Sequence, residues 1–234
     1  MSRINPATKF RNVTHVIFDM DGVLLDSEGV YRNAIASIAR RFGKVYTPQI
    51  MGKVVGTVEK ETARIAIQEM NLPISIDNFR ADFRSYASKY LGNVPLMPGA
   101  QKMVNHLKKH NIPIAVATSS GLDSFKIKSS KHEEFFKLFN HIICGGSDVN
   151  VKNGKPAPDI FLYCATKFKE NPAPENCLVF EDSPNGVKAA ISANMHVVMI
   201  PDENVPPELI KQADIVVKSL DETDLTLFGL PAIK

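Results

Sequence analysis

Six short runs of β-branched and other apolar residues, at 15–18, 113–118, 141–144, 177–181, 196–200 and 214–217, constrain this chain more than any other feature. A run that is apolar at successive positions, without polar alternation, suits a strand covered on both faces. Helical patterns lie between most of the runs, at 99–110, 160–168 and 185–193. Strands that alternate with helices predict an α/β fold with a parallel sheet. With apolar residues at 44% of 234 and charged residues at 23%, the chain has the material to bury such a sheet.

The spacing of the runs adds a second constraint. About ninety residues separate the first from the second, whereas a crossover helix and its loops need far fewer. The excess carries helix-spaced apolar residues at 31–42, 60–70 and 76–91, with Pro48, Gly52, Gly56 and Pro73 as breaks. The expectation is a helical domain at 28–95 inserted into a core made of 1–27 and 96–234, hinged near 26–29 and 95–99.

Charge and cysteines narrow the class. The net charge of +3 comes from 28 basic and 25 acidic residues spread along the chain, which argues against a nucleic acid polymer as partner. The basic clusters Lys108-Lys109-His110 and 126–131 are interleaved with apolar or hydroxyl residues and read as the wet sides of helices. Cys144, Cys164 and Cys177 are odd in number and lack the spacing of a zinc site or disulfide framework, so buried, reduced thiols are expected. No apolar run reaches membrane-spanning length, and the start MSRINPATKF carries no signal-peptide core or acylation pattern. The expected address is cytoplasmic, with no membrane partner, and nothing in the sequence demands more than a monomer.

Four stations at strand ends carry chemistry. Phe18-Asp19-Met20-Asp21-Gly22-Val23 sets two carboxylates two residues apart after the first run. In open parallel sheets ligands bind beyond the carboxyl ends of the strands, and alternate residues share a direction, so Asp19 and Asp21 are expected to face one cleft. An aspartate there is equally a turn residue bonded to its own backbone. Thr118, Ser119 and Ser120 with Gly121 offer hydroxyl and amide donors for an anion. Lys155, ahead of Pro156 and Pro158, stands where a fixed ammonium would reach an anion, and Glu181-Asp182 supplies the hard oxygens that magnesium prefers.

In combination these stations resemble the four-motif signature of the haloacid dehalogenase superfamily, whose fold is a Rossmann-like parallel sheet core with an inserted helical cap domain. The resemblance implies a magnesium-dependent phosphatase acting on a small phosphorylated metabolite. It assigns Asp19 as nucleophile, Asp21 as general acid and base, Thr118 and the amides near Ser119 and Ser120 as holders of the phosphoryl oxygens, and Lys155 as charge-neutralising cation. Asp19, the Asp21 carbonyl and Asp182 are implied metal ligands, with Glu181 a further ligand or a partner of one. Asp21 is the acid that C–Cl hydrolases of the superfamily lack, and Tyr31 stands where β-phosphoglucomutases carry histidine, which argues against mutase activity. Glu28, Tyr31, Gly56 and Thr57 are candidates for choosing the leaving group. Stretches such as GKPAPDIFL and CLVFEDSPNGVKAA are similar to the pseudouridine-5'-phosphatases of that superfamily. Pseudouridine 5'-phosphate is therefore the expected ester, glycerol 3-phosphate and sugar phosphates are the alternatives, and a non-catalytic sensor or scaffold is the reading from a different class.

Overall fold

The computed structural model describes Phe10 and residues 13–54, 57, 59–202 and 205–233. After β1 (His15–Phe18) come α1 (Glu28–Arg41), α2 (Pro48–Val54), α3 (Glu59–Met70) and α4 (Ile76–Tyr90), then α5 (Ala100–Lys109) and β2 (Ile114–Thr118). The chain continues through α6 (Leu122–Ser129), α7 (Glu133–Phe136), β3 (His141–Cys144), α8 (Asp159–Thr166), β4 (Cys177–Glu181), α9 (Pro184–Ser192), β5 (His196–Met199) and β6 (Ile215–Val216). The strands stand in the order β3-β2-β1-β4-β5-β6, and every pair is parallel.

The expected runs are these strands, trimmed at a few ends. Pro113, expected in β2, lies just outside it and only accepts, from the Val16 amide, because proline has no N–H to give the ladder. Both faces are covered, as the unbroken apolar runs require. Val16 and Phe18 pack with Ile114, Val116, Leu178 and Phe180 on one face, and Ile17 packs with Ala115, Ala117, Cys177 and Val179 on the other. Cys144, Cys164 and Cys177 are free and buried, as expected.

Helices α1 to α4 carry a core of their own around Ile35, Ile38, Ala63, Ala66, Met70 and Phe79. Ala87 and Leu91, near the end of the insert, pack instead with the cluster on the first sheet face. The segments entering and leaving the insert run side by side: Leu25 bridges Leu96 antiparallel, Asp26 N–H donates to the Pro95 carbonyl at 3.0 Å and Met97 N–H to Leu24 at 2.9 Å. Three helices differ from the sequence expectation. Pro48, read as a break, begins α2, because a proline in the first turn loses no hydrogen bond. That helix buries no residue fully but lays Ile50, Met51 and Val54 against the insert's core, and α6 fully buries only Lys128 and Ser129. The short α7 spans a single turn.

The strand order places the site. The chain moves from β1 outward to β2 and β3, then crosses to β4 on the other side of β1, so a crevice opens beyond the carboxyl ends of β1 and β4.

Candidate active site

Asp19 follows β1 directly, and its N–H donates to the Phe180 carbonyl of β4 at 2.9 Å, which continues the ladder one residue past the strand. Asp19 as a residue is 6% exposed, and it lines a cavity of about 640 Å³ together with Asp21 and Asp182. The expectation that Asp19 and Asp21 face one cleft holds. Burial pushes Asp19 up to about 7; Lys155 opposes this, while Glu181 and Asp21 add to it.

Lys155 is the cation beneath that cleft. Its ammonium donates to Asp19 Oδ1 at 2.5 Å, to Glu181 Oε1 at 2.6 Å and to the Ala117 carbonyl at 3.2 Å. Burial would strip its proton, but the two acids hold it well above the usual lysine range. Glu181 is fully buried and does not line the cavity. Its second oxygen accepts from the Asp182 and Ser183 amides and the Ser183 hydroxyl, each at 3.1 Å. Glu181 therefore pairs with Lys155 and stands outside the cavity lining.

Asp182, one residue on, does line the cavity. Burial and the neighbouring Glu181 and Asp19 raise its carboxyl well above the ordinary range. It fits only because Gly22 has no side chain: a Cβ there would lie 2.3 Å from Asp182 Oδ2, and the backbone φ of +79° is itself one that glycine favours.

Asp21 has a partner that sequence reading missed. Lys128, expected on the wet side of a helix, is 1% exposed, and its ammonium donates to Asp21 Oδ1 at 2.6 Å and to Ser120 Oγ at 2.8 Å. The Ser27 hydroxyl also donates to Asp21 Oδ1. Ser120 Oγ donates to Oδ2 at 3.0 Å. Burial alone would raise Asp21; Lys128 and the hydroxyls outweigh it and hold the carboxyl below its usual value. The only sequence signal was a lysine amid a helix with no apolar stripe.

Ser119 and Ser120 line the cavity, whereas Thr118 is fully buried below it, accepting from the Ser120 amide at 3.1 Å. Glu28 and Tyr31 of α1 also line it. Burial, with Asp21 near, pushes Glu28 up to about 7 against Lys128 and Arg32. Burial likewise pushes Tyr31 up to about 12. Thr57 does not reach the cavity: its hydroxyl donates to the Val54 carbonyl at 2.7 Å and pairs with Thr62, which does line it. The local turn satisfies that hydroxyl first. Gly56 lies outside the described residues. Arg32, Phe83 and Asn185, not named in the sequence reading, also line the cavity, and Arg32 pairs with Asp202 across from the insert to the loop after β5.

The profile of the haloacid dehalogenase-like hydrolases matches residues 13–194, spanning all four stations. The chain belongs to that family. A "Probable pseudouridine-5'-phosphatase" of Drosophila melanogaster is 46% identical over 222 residues, covering 95% of this chain and 96% of that protein. A "(DL)-glycerol-3-phosphatase 2" of Arabidopsis thaliana is 39% identical, covering 94% and 92%. Among solved structures, a β-phosphoglucomutase of Clostridium difficile superposes with a TM-score of 0.71 over 93% of this chain and 96% of its own, at 24% identity, and shares the fold. This haloacid dehalogenase-like chain is a phosphatase of small-molecule monoesters. Among the described residues no helix is long and apolar enough to cross a membrane.

Catalysis in this family generally uses a divalent cation, commonly magnesium. Among the described residues no three acidic, histidine or cysteine side chains converge as a closed cage. Magnesium commonly takes only one or two carboxylates, filling its remaining positions with water and substrate phosphate. Asp19 and Asp182 are two buried carboxyls that line the same cavity, and both offer hard oxygen donors. The residues fit the ion.

Proposed function

We propose that the chain dephosphorylates pseudouridine 5'-phosphate to pseudouridine, through a phosphoryl group carried on Asp19. The observation that carries the substrate reading is the cavity: about 640 Å³, with Tyr31 stacked on Phe83 at 5.6 Å between centroids on the insert side and acids and hydroxyls on the core side. That is a site with an aromatic wall for a base and polar groups for a ribose. The similarity to the Drosophila protein supports the same choice. The similarity to the Arabidopsis glycerol-3-phosphatase makes glycerol 3-phosphate the second reading.

Asp19 attacks phosphorus; the new bond is from its carboxylate oxygen, and the bond to the leaving oxygen breaks. Asp21 gives that oxygen a proton and then takes one from the water that attacks the aspartyl-phosphate, releasing phosphate. The arrangement found holds Asp21 as the carboxylate, the form that activates water. An incoming phosphate dianion adds the negative charge that lets Asp21 take up the proton it must donate first. Lys155 offsets repulsion between Asp19 and the phosphate, and Ser119 and Ser120 offer donors to the phosphoryl oxygens. Asp19, the Asp21 carbonyl and Asp182 would hold magnesium, which when bound supplies charge neutralisation at the phosphoryl oxygens. Residues 28–95 act as the cap, moving on the paired linkers to shut out water and readmit it. We place the enzyme in the cytoplasm as a monomer acting on a diffusible metabolite.

The test is phosphate release by the parent and Asp19→Asn from pseudouridine, uridine, glycerol and hexose monophosphates with magnesium. A preference for pseudouridine 5'-phosphate, lost in the variant, is expected. Preference for another ester would overturn the substrate and leave the mechanism, whereas no turnover of any ester would favour the sensor or scaffold reading.

A further inference from the structure

We infer that Lys128 is a positioning residue for Asp21, fixing the direction in which that carboxyl exchanges its proton; the inference rests on the acid and base role proposed for Asp21 above. A buried ammonium is costly unless its N–H groups are satisfied and its charge is paired. Lys128, with 1% of its side chain exposed, meets both demands on residues of the site, Asp21 Oδ1 at 2.6 Å and Ser120 Oγ at 2.8 Å. Its ammonium also lies 5.2 Å from the centre of the Tyr31 ring.

These three neighbours come from three separate pieces of chain. Asp21 stands on the loop after β1, Ser120 on the loop after β2 and Tyr31 on α1 of the insert. One cation therefore sets the spacing of two loops and touches the insert at the same point. Ser120 completes the brace, because its hydroxyl accepts from Lys128 and donates to Asp21 Oδ2 at 3.0 Å. Both carboxyl oxygens are held, and Asp21 still lines the cavity in which a leaving oxygen would sit. Proton transfer is sensitive to that placement.

The consequence is chemical as well as structural. A ribose or glycerol oxygen leaves poorly without a proton, whereas p-nitrophenolate leaves without one. Loss of a residue that only shapes the fold would slow both esters alike. Loss of one that aims the acid would slow the alkyl ester more.

The experiment measures kcat and KM of the parent, Lys128→Met, Lys128→Arg, Asp21→Asn and the double variant Asp21→Asn/Lys128→Met, with magnesium, on pseudouridine 5'-phosphate, glycerol 3-phosphate and p-nitrophenyl phosphate. For the alkyl ester turned over best, K128M is expected to lose about 100-fold in kcat/KM, which reads the step in which the leaving oxygen departs, against about tenfold or less on p-nitrophenyl phosphate. K128R should recover most of the loss, D21N should show the same dependence on leaving group, and the double variant should fall no further than D21N. Parent-like kcat/KM in K128M, or equal losses on both ester types, would overturn the inference while D21N keeps its selectivity. Equal losses in D21N itself would remove the acid role of Asp21 and the inference with it. If K128M does not fold, the double variant, which buries no unpaired charge, decides: activity tenfold or more below D21N would mean Lys128 acts apart from Asp21.

Discussion

A Cβ placed on Gly186 would lie 1.8 Å from the carboxyl carbon of Glu181, so the first turn of α9 rests against the acid that holds Lys155. Helix packing and active-site charge are linked through that contact. Gly186→Ala must push Glu181 aside, and Lys155 with it. We expect a loss of about 1–3 kcal/mol in stability and at least tenfold in kcat, read from urea unfolding and phosphate release. A variant with parent turnover would show that Glu181 has slack.

Lys155→Met removes a cation that contacts both Asp19 and Glu181. Breaking a buried pair by deleting one partner costs about 3–5 kcal/mol. Urea unfolding should show a loss of that order, and phosphate release should fall below detection. An unchanged unfolding midpoint would mean that the two acids share a proton at no cost.

Glu28 gives stability a dependence on pH. Its carboxyl is pushed up to about 7 when folded, from an ordinary value of 4.5. Between those values the folded state binds more protons than the unfolded one. The contribution is fully present below about 4.5 and is lost as pH rises through about 7. Glu28→Gln should therefore be more stable than the parent near pH 8 by on the order of 1–2 kcal/mol, and gain nothing near pH 4, since the partly exposed side chain keeps some solvation. Urea unfolding at the two pH values without divalent ions checks this; an equal difference at both would mean Glu28 ionises normally.

Chelation should abolish turnover, and added magnesium should restore it. Binding is also expected to raise the thermal midpoint, with stabilisation of about 2.7 kcal/mol at a hundredfold excess over Kd. Asp182→Asn should lose that thermal shift. A shift that persists in the variant would place the ion elsewhere.

The insert is held to the core loop by Arg32 and Asp202. Because both are partly exposed, Arg32→Gln should cost about 0.2–1 kcal/mol in stability, while kcat/KM falls several-fold if closure positions substrate. Equal kcat/KM would show that the pair plays no part in closure.

The sequence by itself determined the sheet, its parallel sense, the helical excess between β1 and β2, and the placing of Asp19, Asp21, Ser119, Ser120 and Asp182 just past strand ends; Lys155, expected among them, stands well beyond β3, just ahead of α8. Those features are local: an unbroken apolar run marks a strand buried on both faces, and the loop that follows it opens to the crevice, although Thr118 and Glu181, the last residues of β2 and β4, are themselves buried. What only the tertiary structure decided depends on partners far apart in the chain. Lys128 and Asp21 are 107 residues apart, and α6 carries no apolar stripe because its buried face is polar, so periodicity read that lysine as solvated. Glu181 and Asp182 are neighbours with the same chemistry in sequence. Packing separates them, since Gly186 and Lys155 close around one while Gly22 leaves the other open to the cavity. Thr57 and Thr62 were divided in the same way, by which hydroxyl the turn at Val54 satisfied first. A pattern along the chain records which residues are apolar and how they repeat; which charge compensates which is set only when the elements pack.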